Sequence, residues 1–86
     1  MSYKILNTAE FKKEIKRLSA KYPSLHSDFR NLLNDLLENP FQGKPLGNNC
    51  YKVRLPITSK GRGKSGVARI ITFIQQINEV IILISI

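Results

Sequence analysis

Six cations, Lys52, Arg54, Lys60, Arg62, Lys64 and Arg69, fall within eighteen residues of an 86-residue chain that carries fourteen in all. No Asp or Glu occurs between Glu38 and Glu79, so the cluster has no local counter-charge in sequence. A positive field gathered at one place attracts polyanions, and phosphate is the commonest of them. Three of the six lie in Ser59-Lys60-Gly61-Arg62-Gly63-Lys64-Ser65-Gly66. There the glycines allow a backbone to run close to a nucleic acid while Lys60, Arg62 and Lys64 supply charge-assisted contacts to its phosphates. The plain alternative is a hairpin tip that does nothing but turn the chain.

Gly61-Arg62-Gly63-Lys64-Ser65 has the look of a nucleotide-binding P-loop, but the spacing is wrong. That motif needs glycine five residues before Gly63, where Thr58 stands, and a helix after the serine, where β-branched Val67 to Ile74 follow instead;. Arg69 is a stronger signal, because it interrupts an apolar strand pattern and a guanidinium buried there needs an anion. Alternation places it on one strand face with Ile71 and Phe73, and places Lys52 and Arg54 together on a face of the preceding strand. Three cations on adjoining strands can converge on one phosphate, with Arg69 as a bidentate clamp. The competing expectation pairs Arg69 with a carboxylate from a helix.

If the phosphate belongs to RNA, metal-free cleavage uses the ribose 2′-hydroxyl as nucleophile. It requires a base, a stabiliser of the developing charge and an acid for the leaving oxygen. His26 is the sole histidine, which excludes a two-histidine mechanism, and its position early in a helix suits the surface. A lysine with its pKa lowered by neighbouring cations can act as base, and Lys52 is the candidate. Tyr51 reads as core or sheet surface rather than acid.

These residues need a frame. Tyr3 to Asn7 reads as a short strand, after which Thr8 caps a helix with apolar positions Phe11, Ile15, Leu18 and Tyr22. Lys12, Lys13, Lys16 and Arg17 cover its other faces, with Glu10 and Glu14 toward the N-terminus where the helix dipole favours them. Pro23 ends that helix and Ser24 can cap a second, striped by Leu25, Phe29, Leu32, Leu33, Leu36 and Leu37 and closed by Asn39-Pro40. So short a connection predicts an antiparallel helix hairpin.

Residues 39–49 read as a loop, and Tyr51 to Ile57, Val67 to Gln75 and Val80 to Ile86 as three strands of an antiparallel meander with a tight turn at Ile77-Asn78-Glu79. Pro56 marks an edge or bulge. The aliphatic run from Val80 suits a central strand covered on both faces, with part of one face left exposed where nothing follows it. The expected fold class is α+β: an N-terminal strand, the helix hairpin, then the meander, with the helices on one sheet face.

Residues 1–86 make a single small domain by length, with a modest core. Hydrophobic residues are 42% of the chain, and charges are spread without low-complexity tracts, which argues for a folded domain over a basic tail;. The formal net charge is +8, with seven cations against five acids up to Gly43 and seven against one from Lys44 onward. Beyond mere solubility, that asymmetry favours nucleic acid or an acidic protein as partner. Cys50 is the only cysteine, which excludes an internal disulfide or a cysteine zinc site and suits a reducing cytosol;. No signal peptide or membrane-length segment is visible, so the expectation is cytoplasmic, with no membrane, metal or cofactor.

Phe11-Lys12-Lys13-Glu14-Ile15-Lys16-Arg17-Leu18, Lys21-Tyr22-Pro23-Ser24-Leu25, Asn39-Pro40, Tyr51-Lys52-Val53-Arg54-Leu55 and the segment Gly61 to Arg69 together resemble the RelE/ParE superfamily of bacterial toxin-antitoxin toxins. The last segment is also similar to one in HigB-like toxins, and the resemblance covers nearly the whole chain. It implies the toxin of a type II toxin-antitoxin system, an endoribonuclease that inhibits translation and growth by cutting mRNA on the ribosome. It also implies a cognate antitoxin as partner. Lys52 and Arg54 match the family's basic strand positions and Arg69 its catalytic arginine.

RelE-like toxins continue past the last strand into a basic tail that contributes catalytic groups, whereas here the chain stops at Ile86. The enzyme reading therefore stands beside an alternative in which the protein only binds. It would then be a ParE-type DNA gyrase inhibitor, or a truncated toxin that still holds antitoxin. Fold alone does not choose between the branches, and the sequence leaves the oligomeric state open.

Overall fold

Thr8 accepts a hydrogen bond on its hydroxyl from the Phe11 amide at 3.1 Å and so caps α1, Ala9–Lys21;. Its own amide and hydroxyl both donate to the Leu83 carbonyl at 3.2 Å, which ties the helix start to the last strand. The computed structural model describes residues 3–60, with the backbone alone for Lys60, and 66–86. Before α1 lies β1, Lys4–Asn7; after it come α2, Leu25–Glu38, β2, Lys44–Gly47, β3, Cys50–Pro56, β4, Val67–Gln75, and β5, Val80–Ser85. Two helices and one five-stranded mixed sheet make an α+β protein.

The sheet order is β1-β5-β4-β3-β2. Strands β3, β4 and β5 run as the expected antiparallel meander, and Gln76 to Glu79 turn the last hairpin through a Glu79 amide to Gln76 carbonyl bond of 3.2 Å. β1 joins beside β5 in parallel. The loop expected over residues 39–49 is in part a strand, β2, paired antiparallel with β3. The turn between them explains the difference: Asn48 and Asn49 both have positive φ, 54° and 63°, as a type I′ hairpin requires;. Because β2 reaches only Cys50 to Lys52 of β3, the rest of β3 has a free edge, and Pro56 sits there without breaking a ladder;.

Alternation sorts the two sheet faces. Val53 and Leu55, Ile70 and Ile74, and Ile81 and Leu83 are buried together, and Phe11, Leu25, Leu32 and Leu36 from the helices complete the same cluster. Ile15, Leu18, Tyr22, Phe29 and Leu33 pack around it, as the helical stripes predict;. The other sheet face is not sealed: Ile71, Phe73 and Ile82 are half-buried, and Ile84 is 38% exposed. β5 is interior to the sheet, and its second face is covered only in part, with Ile82 half-buried and Ile84 exposed.

Ser24 occupies the cap position of α2 but makes no side-chain capping bond. Its hydroxyl donates instead to Asp28 Oδ2 at 2.8 Å and accepts from the Ser59 amide at 2.8 Å. No helix among the described residues is long and apolar enough to cross a membrane.

Candidate anion-binding site

The long β3–β4 pairing decides where the cations go. Its register sets Arg54 directly opposite Arg69 and Lys52 opposite Ile71, all on the unsealed face. β2 adds a further cation by pairing Lys44 with Lys52. Three adjacent strands thus carry Lys44, Lys52, Arg54 and Arg69 around a cleft of about 530 Å³, which Gly43 also lines. Lys52 is half-buried, while Lys44, Arg54 and Arg69 are exposed.

Gly43 makes the fourth cation possible. Its φ is +100°, a conformation that side chains disfavour, and a Cβ there would lie 2.6 Å from the Lys52 carbonyl oxygen;. Only glycine lets the chain come that close before turning into Lys44. Phe41, just upstream, packs edge-on between Tyr3 and Tyr51, with ring centroids 6.2 and 6.1 Å away, and holds this approach in place;.

The electrostatics are unbalanced. Lys44 with Lys52 and Arg54 with Arg69 are like charges placed directly opposite, an arrangement that costs each pair on the order of 0.2–1 kcal/mol;. Among the described residues the sole ion pair is Arg17 with Glu14, on the surface of α1. The expectation that a helix carboxylate would neutralise Arg69 therefore fails, and so does the expectation that Arg69 is buried. An anion in the cleft would convert both repulsions into attraction. The lining consists of Lys, Arg and Gly, without histidine, carboxylate or tyrosine.

Of the basic loop, the ends are visible. Thr58–Lys60 forms a 3₁₀ turn, and the Ile57 amide donates to the Gly66 carbonyl at 2.8 Å, closing the loop's base. Asp28 anchors the entry by accepting from the Thr58 amide at 2.9 Å and the Thr58 hydroxyl at 3.2 Å. Lys60 is described by its backbone, and Arg62 and Lys64 lie outside the described residues. His26 is exposed and Tyr51 packs against the core, both away from the cleft. Cys50 is half-buried, with its thiol 3.7 Å from the Asn48 carbonyl.

Sequence reasoning missed Lys44 and Gly43. The available signal was Gly47-Asn48-Asn49 ahead of a strand, since consecutive asparagines tolerate the left-handed backbone of a two-residue hairpin turn. A separate apolar groove of about 510 Å³ runs between β1 and α2, past Leu6, Leu33 and Leu37, with Lys4 and Arg30 at its margins. Among the described residues no group of three His, Cys, Asp or Glu is placed to hold a metal ion. Neither protein-family models nor curated proteins match this chain.

Proposed function

We propose that this protein is a RelE/ParE-like toxin whose cationic cleft binds the RNA backbone and cleaves mRNA on the ribosome, stopping translation. The observation that carries the reading is the set of four cations in like-charge pairs on three adjacent strands, without a carboxylate partner among the described residues. Such a cleft is stabilised by an anion, and a nucleic-acid phosphate is one that suits it. The reading is further supported by the placement of the cations on the sheet face opposite the buried helix-facing core, where a large polyanion can reach them.

In this reading Arg54 and Arg69 hold the scissile phosphate and stabilise the charge that develops on it. Lys52 takes the proton of the 2′-hydroxyl as the 2′-oxygen bonds to phosphorus. The bond from phosphorus to the 5′-oxygen breaks, leaving a 2′,3′-cyclic phosphate, and the departing 5′-oxygen takes its proton from water. Lys60, Arg62 and Lys64 grip flanking phosphates. The cognate antitoxin is an acidic protein that covers the basic face or the apolar groove beside β1.

One observation favours a second reading: the cleft lining offers no ordinary acid for the leaving oxygen. A binder without catalysis, either a gyrase inhibitor or an inactive toxin that retains antitoxin, needs none. The test adds purified protein to translating ribosomes and maps mRNA ends. New ends, together with growth inhibition lost in Arg69→Ala, support the nuclease. Inhibition of supercoiling without new ends selects gyrase, and a harmless protein that still captures an antitoxin selects the inactive form.

A further inference from the structure

A second cleft, of about 330 Å³, adjoins the cationic one and shares Arg54 with it. It lies where α2 faces the free edge of β3 beyond the end of β2, and Asp28, Asn31, Asp35, Gln42 and Pro56 line it. Residues 28, 31 and 35 recur at helical spacing, so α2 presents one polar stripe to this cleft. Its chemistry differs from that of its neighbour: its carboxylates repel phosphate, and carboxylates and carboxamides together match the polar edge of a base. The volume is at the lower end of small-ligand sites.

The polar groups are not equivalent. Asp28 is committed to Thr58 and Ser24. Asp35 and Asn31 make no side-chain hydrogen bond among the described residues and remain available. The Gln42 amide nitrogen is buried without a partner among the described residues, so a carbonyl oxygen brought beside it in the cleft would offer it an acceptor. An ionised carboxylate only accepts. Among the four bases, guanine alone places two adjacent donors, N1–H and the N2 amino group, on its Watson–Crick edge, with the O6 acceptor beside them. Single-stranded RNA is read on that edge.

We infer that this cleft is a nucleobase subsite selective for guanine, with Asp35 as the specificity-determining residue and Asn31 and Gln42 facing O6. The guanine belongs to a nucleotide whose phosphate sits in the cationic cleft, and Arg54 spans the boundary between the two. The inference rests on the RNA reading above.

The test titrates short 2′-O-methyl oligonucleotides, which cannot be cut, into the whole protein by fluorescence anisotropy. The probes are a uridine heptamer and the same heptamer with guanosine, adenosine or cytidine at its centre. Wild type is expected to prefer the guanosine probe by about 5- to 150-fold, the range of one bidentate contact. Asp35→Asn should bring the four probes within about twofold of one another without weakening the uridine probe, a pattern that general loss of structure cannot produce. Equal wild-type affinities for all four probes, or a guanosine preference untouched in both Asp35→Asn and Asn31→Ala, overturns the subsite and leaves the RNA reading standing. Failure of wild type to bind any probe overturns both.

Discussion

Replacing Arg69 by threonine should make the protein more stable and its RNA binding weaker and less sensitive to salt. Arg69 is exposed and directly opposite Arg54, and no carboxylate pairs with it among the described residues. Two unit charges about 7 Å apart in water repel by about 0.6 kcal/mol. Threonine suits a strand, so removing the repulsion should raise the melting temperature by about 2–5 °C in a domain of this size. The gain should vanish in 1 M salt, where the screening length falls to about 3 Å. If Arg69 accounts for one neutralised phosphate charge, the slope of log K against log salt for single-stranded RNA should be shallower by about 0.7 in the variant. Calorimetry and a salt titration of oligonucleotide binding measure both quantities on the same samples. A variant less stable than wild type with an unchanged salt slope would refute the reasoning, because Arg69 would then serve the fold and not an anion.

Gly43→Ala should cost about 1–3 kcal/mol in urea unfolding, because alanine must hold φ near +100° with its Cβ 2.6 Å from the Lys52 carbonyl;. Relief by displacement of β2 would carry Lys44 away from the cleft, so RNA affinity should fall with stability; a variant as stable as wild type contradicts this. Asp28→Ala should lose about 0.5–1.5 kcal/mol, since it removes the acceptor of the exposed Thr58 amide and hydroxyl and leaves them to water;. Hydrogen exchange at Thr58 should then accelerate more than at Ile70 in the core, and equal acceleration would mean that the anchor is not local.

What could be read from the sequence was local or strongly periodic. Thr8 caps α1 because its hydroxyl needs only the Phe11 amide three residues on. Ile70, Ile74, Ile81 and Leu83 alternate with less buried neighbours, so the hairpin and its inward face follow from a period of two;. β2 has no such period: all four of its residues are exposed and one is proline, so it exists because the Asn48-Asn49 turn folds it back on β3. Lys44 went unseen as a site residue for that reason. Ser24 was legible as a cap position, but Asp28 and the distant Ser59 compete for its hydroxyl and win. Arg69 was expected to be buried because its strand is apolar, and a strand in a sheet sealed on one side alone does not bury every second residue.

That one-sided cover is also what makes the cationic cleft rigid. A slip of β3 by one residue against β4 would turn Arg54 into the core and Val53 and Leu55 out of it, at the cost of buried aliphatic side chains;. The apolar contacts of Val53, Leu55 and Ile70 therefore fix the positions of cations they never touch. Repulsion of a few tenths of a kcal/mol per pair cannot shift a register held by such burial. The sheet can thus keep Lys52, Arg54 and Arg69 aligned with no anion bound, so that an anion entering the cleft would meet groups already in place;.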